Sequence, residues 1–480
     1  MNDSVVLNES LPVVVIGGGP AGLSAAFQLT EKKIPVVVLE KGDQVGGLAR
    51  TEVFKGYRFD IGGHRFYTQV PEIQQLWERM LGNDLLKVRR LSRIYYQGRF
   101  FHYPIEPFNA LVNLGLRESV LTLFSYLRTR LFPYPVEENF EQWVSNRFGR
   151  RLFKMFFKTY TEKVWGIPCS RIHAEWAAQR IKGLSLLAAL SEAVFRTKSV
   201  KSLIHEFYYP RLGPGMMWER FQQAIENGNG QVKLKTEVIR LNREGNRIVS
   251  VRARRDGVEQ EIAGECFIST MPLSELIFRI IPLPPADVLE AARNLRYRAF
   301  IIVELILNRE QVFPDNWIYV HSPEVKVGRI QNFKNWSAAM VPDSRKTSLG
   351  MEFFCDEGDE MWHMTDHALI AQAVRELSIL NLADMAEVED GVVLRQAKAY
   401  PVYDPVYRDR LQVIRRYLDS IDNLQTVGRN GMHRYNNQDH SMLTGILAVR
   451  NLMGENANLW NVNTDRSYYE ELIIDEMGDD

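Results

Sequence analysis

The feature that most constrains this chain is a glycine turn set between a strand and a helix. Val13 to Ile16 is a short β-branched run, and Gly17-Gly18-Gly19-Pro20-Ala21-Gly22 comes directly after it as G-x-G-x-x-G. Gly22 to Lys32 reads as a helix and Val36 to Leu39 as a second strand. Strand, glycine turn, helix and strand in that order form the βαβ unit of a nucleotide-binding fold. Gly17 permits the tight turn, Gly19 lets backbone approach a pyrophosphate, and Gly22 lets helix and strand pack closely. The pyrophosphate would rest on the helix N-terminus, where free N–H groups favour an anion. Glu40 ends the second strand, where a carboxylate can accept from ribose hydroxyls.

The rest of the 480-residue chain is too long for one hydrophobic core. Helical spacing dominates from Glu72 to Ile204, and a period of two takes over between Val232 and Ile268. Further strands are expected at Phe300 to Leu307, Trp317 to Val320 and Ser348 to Phe354, and a last helix from about His440 to Leu452. Lys+Arg and Asp+Glu are equal at 59 each, so no net field draws the chain to nucleic acid, and no nucleic-acid partner is expected. Cys169, Cys266 and Cys355 are scattered, which predicts neither a disulfide framework nor a metal site and suits a cytoplasmic location. The N-terminus lacks a secretory pattern and no run is long enough for a transmembrane helix. Leu111 to Phe132 is amphipathic; a buried apolar face is the preferred reading, with peripheral membrane contact as the alternative.

The residues after Glu40 narrow the cofactor. Lys41-Gly42-Asp43-Gln44-Val45-Gly46-Gly47-Leu48-Ala49-Arg50 is a second glycine turn, and it resembles the extended motif of glutathione-reductase-like FAD proteins, particularly the amine oxidase branch. Phe267 to Pro272 resembles the strand by which that branch returns to its FAD domain. The resemblance puts Val238 at the adenine, Gly47 and Leu48 in the second turn, and Gly428 and Arg429 in the motif that closes over the flavin. It implies FAD, and a glutathione-reductase-like FAD-binding Rossmann domain of α/β class with a helical insert and a second, mostly antiparallel sheet domain. The expected division is an FAD-binding domain from 10–75, 205–275 and 416–465, a mainly helical substrate or insert domain at 76–204, an antiparallel-sheet substrate domain at 276–415, and a tail at 466–480.

A narrower resemblance, to UDP-galactopyranose mutases, runs through the substrate side. Phe59-Asp-Ile-Gly-Gly-His-Arg-Phe-Tyr-Thr68 is similar to their segment carrying a histidine beside the flavin, which implies that role for His64. Tyr160-Thr-Glu-Lys-Val-Trp-Gly166 is close to their Tyr-Thr-x-Lys-x-Trp-Gly run, and implies substrate contacts for Tyr160 and Trp165. Arg180 and Arg298 fall where those enzymes place substrate arginines, Tyr435 on a tyrosine that contacts a diphosphate, and Arg329 is grouped with the substrate-binding residues. Paired arginines suit a diphosphate, because a guanidinium fork matches phosphate oxygens. The resemblance implies ring isomerisation of a nucleotide-activated sugar, UDP-linked, through N5 of a flavin kept reduced by an external donor. His433 stands where the mutases have a tyrosine, Val164 replaces a polar residue, and Arg99 to Val136 is extra. Two other readings stay open: an amine-oxidase or protoporphyrinogen-oxidase-like oxidoreductase, and a flavin-binding protein without turnover.

Overall fold

The computed structural model describes residues 11–103, 107–172, 174, 202–203, 205–463 and 471–472. Five parallel strands make the first sheet, in the order Gln231–Lys233, Val36–Leu39, Val13–Ile16, Cys266–Ser269 and Leu424–Thr426. Its three central strands are buried along their whole length, as a parallel sheet covered on both faces requires. Val13 and Val15 face helices Pro20–Glu31 and Gln438–Leu452, while Val14 and Ile16 face a second core beneath the opposite layer. The two helices touch closely at Gly445, where a Cβ would lie 2.2 Å from the Ala21 carbonyl oxygen. Three well-separated stretches of chain thus meet in one sheet.

The opposite layer is an antiparallel meander of Thr236–Glu244, Arg247–Arg255 and Val258–Ala263, with Ile280–Ile281 on its edge. Asp256 and Gly257 both have positive φ, 49° and 80°, as a two-residue hairpin of the right twist needs.

The large second sheet runs Val388–Pro401, Tyr297–Leu307, Thr347–Cys355, Arg329–Asn332, Trp317–Val320, Ser92–Tyr96 and Arg99–His102. It is antiparallel except where Trp317–Val320 lies beside Ser92–Tyr96. Those last two strands come from the stretch expected to be mainly helical. Gln97 and Gly98, at φ 49° and 77°, turn a hairpin too short to show a clear period in sequence.

The helical insert begins after this hairpin with Pro107–Leu114, Leu116–Leu131 and Phe140–Phe148, and its described part includes Thr159–Trp165. Asn139 and Gln142 form a capping box that starts the third helix. Helix Leu116–Leu131 corrects the expectation of a buried apolar face. Its buried residues are Thr122, Tyr126 and Thr129, whereas Leu116, Val120, Phe124, Leu127 and Leu131 are exposed. Gly149 explains the packing, since a Cβ there would lie 2.9 Å from Tyr126 Cα. The helix is seated by its small polar side. Among the described residues, no helix is long and apolar enough to cross a membrane.

Candidate active site

The cofactor end of the site is built mainly from backbone. Gly17 has φ +101°, and a Cβ on it would fall 2.1 Å from Thr270 Oγ1. A Cβ on Gly22 would fall 2.0 Å from the Gly17 carbonyl oxygen, which is the close helix–strand approach expected of the third glycine. Gly19 faces the second turn, where the nearest neighbour of a Cβ would be Gly47 Cα at 3.8 Å. The Gly46 amide donates to the Gly18 carbonyl at 2.8 Å and ties the two turns together. Glu40 accepts at both oxygens, from the Gly18 amide at 2.6 Å and the Gly42 amide at 2.7 Å.

These groups border a cleft of about 450 Å³ that also meets Leu48, Val238, Gly428, Arg429 and His64. On its wall, Asn430 Oδ1 and Gln438 Oε1 are buried acceptors without a partner among the described residues. Buried polar atoms are rarely left so, and a bound group with N–H or O–H donors would satisfy them. Glycine cradle, anchored ribose acid and open acceptors together fit FAD.

Beyond His64 the site is made of side chains. His64 Nδ1 lies 3.0 Å from the Gly62 carbonyl, and burial, reinforced by the Arg429 and Arg329 charges, pulls its pKa down to about 3. It is therefore neutral at pH 7, with Nδ1 donating to Gly62 and Nε2 left as an acceptor. Arg329 donates through Nε and Nη2 to Glu352 Oε2 at 2.9 and 2.6 Å, and Gln331 holds the other oxygen at 2.9 Å. Tyr160 and Tyr400 both sense the Arg329 charge, although burial pushes both phenols above their ordinary range. Tyr400 stacks on Tyr435 with centroids 5.7 Å apart, and the Arg429 guanidinium lies 4.7 Å from the Tyr435 ring centre. Tyr160 stacks on His321 at 4.9 Å.

Arg298 is engaged by other partners. Its buried guanidinium pairs with Asp356 at 2.8 Å and donates to the Lys163 and Val164 carbonyls at the end of helix Thr159–Trp165. Lys163 makes the complementary contact, donating to the carbonyls of Val320, Ser322 and Val327. Together they clamp the helix that carries Tyr160 onto the large sheet. Trp165 is buried beside Phe140 and Trp143 and stacks on Tyr403 at 6.4 Å, so it forms wall rather than open platform. Arg180 lies outside the described residues.

Several site residues escaped sequence reasoning. Gln396, Ala397 and Lys398 line the cleft from the long strand Val388–Pro401 and carry no motif. Glu352 could have been found, as a lone acid inside the apolar run from Leu349 to Phe354. Tyr400 left no comparable signal.

Known proteins resemble the chain in sequence and in fold. The model of flavin containing amine oxidoreductases matches residues 20–419. A lycopene-forming phytoene desaturase of Pantoea ananas is 27% identical over 263 residues, covering 50% of this chain and 52% of its own. A 1-hydroxycarotenoid 3,4-desaturase of Flavobacterium sp. is 31% identical over 292 residues, 56% of this chain and 59% of its own. The chain thus spans little more than half the length of these curated relatives. Among solved structures, a reduced UDP-galactopyranose mutase aligns with a TM-score of 0.82 at 20% identity, over 95% of this chain and 98% of that one. A putrescine oxidase bound to putrescine aligns at 0.61 and 16% identity, over 93% and 99%. At these identities the likeness is one of fold.

Proposed function

The chain belongs to the family of flavin-containing amine oxidoreductases, and from that membership we propose that it is an FAD enzyme isomerising the ring of a nucleotide-activated sugar, most simply a UDP-sugar. The observation that carries this reading is the buried cluster of cationic and phenolic side chains near His64. Arg329 is held there among Tyr160, Tyr400 and Tyr435, with Arg429 alongside. A diphosphate needs fixed cationic and hydroxyl donors, and an amine or a hydrocarbon does not.

When bound and reduced, FAD supplies a nucleophilic N5 to the anomeric carbon. The protein's part is placement. Glu352 takes Nε and Nη2 of Arg329 and leaves Nη1 without a partner among the described residues, ready for a phosphate oxygen. Neutral His64 adds an acceptor without a competing charge. Arg180 is proposed as the second phosphate contact. Arg298, committed to Asp356 and two carbonyls, acts by positioning the helix that bears Tyr160. The flavin's electrons come from an external donor, and a cytoplasmic setting is part of the proposal, in keeping with three free, buried cysteines.

The competing reading, an FAD-dependent oxidoreductase, draws on the desaturases among the sequence relatives. Redox state separates the two. Dithionite-reduced protein should convert a UDP-hexopyranose to its furanose over many turnovers without oxygen or a second donor, and oxidised protein should be inactive. Bleaching of the oxidised flavin by an amine or a polyene, with no turnover of any nucleotide sugar, would give the enzyme to the other class.

A further inference from the structure

Helix Leu116–Leu131 turns its apolar side outward. Leu116, Val120, Leu123, Phe124, Leu127 and Leu131 recur at three-and-four spacing, so they form one stripe. They are well exposed, Leu116 at 84%, Phe124 at 67% and Leu131 at 75%, and Phe132 at 73% and Val136 at 61% continue the surface. A contiguous patch of this kind on a folded surface marks an interaction site. The exposed charges on the helix itself are all of one sign. Arg130 borders one edge of the stripe and Arg117 and Arg128 the other, all three exposed and none in an ion pair among the described residues. The helix's one acid, Glu118, is neutralised by Arg151 at 2.6 Å. No exposed residue from Leu116 to Val136 is acidic.

We infer that this helix docks the protein on an anionic lipid surface, lying in the plane of the headgroups. An apolar stripe flanked by arginines fits that boundary, with side chains entering the acyl region and guanidinium groups meeting lipid phosphates. A second copy of the chain fits poorly, because a two-fold contact through the stripe would set arginines against arginines with no acid to pair them. Seating through Thr122, Tyr126 and Thr129 keeps the stripe outward without disturbing a core. The same insert carries Tyr160 and Trp165, so docking would bring its substrate-side helices to the membrane.

The test is flotation of the full-length holoprotein with vesicles of phosphatidylcholine alone or mixed with phosphatidylglycerol. The parent should float with the mixed vesicles, less so as salt rises, and hardly with phosphatidylcholine alone. F124E/L127E should lose binding while keeping flavin absorbance and melting temperature, because both side chains already lie in water. R117Q/R128Q/R130Q, which leaves the apolar stripe intact, should weaken partitioning by roughly fivefold per arginine. The inference is overturned if the parent stays unbound to mixed vesicles, or if neither variant changes its binding. It is equally overturned if F124E/L127E only converts a dimer to a monomer by light scattering with vesicle binding intact, for then a second copy covers the stripe.

Discussion

The two ends of the site solve their binding problems with different materials. At the cofactor end, glycines and main-chain amides do the work: Gly17, Gly19 and Gly22 set the distances, and the Gly18 and Gly42 amides fix Glu40. At the substrate end, side chains from remote stretches do it: Arg329 against Glu352, Tyr400 against Tyr435, Arg298 against Asp356. The first arrangement is local in sequence, tolerates little variation, and is shared across many proteins. The second exists only once the large sheet and the helical insert are assembled, so it can be rebuilt for a new substrate without touching the cofactor.

The sharpest break in this comparison should come from the glycines, which differ among themselves. Gly22→Leu should prevent folding, because a Cβ would collide with the Gly17 carbonyl at 2.0 Å. Gly19→Leu should fold, since its Cβ has room, yet fill the cleft and weaken FAD by more than about a hundredfold. Circular dichroism and flavin absorbance of the purified variants distinguish the two. If Gly19→Leu retains FAD, the cradle is not where its backbone places it.

A smaller effect is expected at the substrate end. Arg329→Ala strands the fully buried Glu352 carboxylate and should destabilise the fold by about 3–5 kcal/mol. Adding Glu352→Gln in the same chain should recover most of that loss, while protein that folds keeps its FAD. Thermal melts of both variants with flavin occupancy measured alongside would show whether the ends are separable. A matched loss of FAD in folded Arg329→Ala would mean that they are not.

The smallest effect concerns pH. Burial pushes the Asp60 carboxyl up to about 8, against hydrogen bonds from Tyr209 and Thr51 that favour its charge. Between about pH 4 and 8 the unfolded chain has released this proton and the native chain retains it, so Asp60 makes stability fall as pH rises. Asp60→Asn should flatten that slope, by on the order of 1–3 kcal/mol across the range, in denaturant melts at several pH values. An unchanged slope would show that Asp60 is ionised in the fold.

Legibility in the sequence divides along the same line between local and remote. The βαβ unit announces itself because strand, turn and helix are neighbours, and all the expected cofactor residues fall at or beside one cleft. Arg298 shows the opposite case. It lies against Lys163 and Gly166, but its charge is taken by Asp356, a partner that no motif names. Helix Leu116–Leu131 was legible as amphipathic, yet periodicity does not say which side faces inward. Thr122, Tyr126 and Thr129 are the buried side, with Tyr126 closely approached by Gly149, far enough along the chain to leave no trace in the helix's own pattern. The hairpin Ser92–His102 was hidden because its strands are short and sit within helical text.

Glu40 carries one more consequence. Its two oxygens are held by amides on either side, so the carboxylate cannot swing away from whatever occupies the ribose position. A swinging acid could make room for a second anion; a pinned one repels it. A dinucleotide whose ribose bears a 2′-phosphate would therefore meet a fixed negative charge beside the Gly18 and Gly42 amides. The same two hydrogen bonds that shape the cradle thus hold a negative charge fixed at its rim.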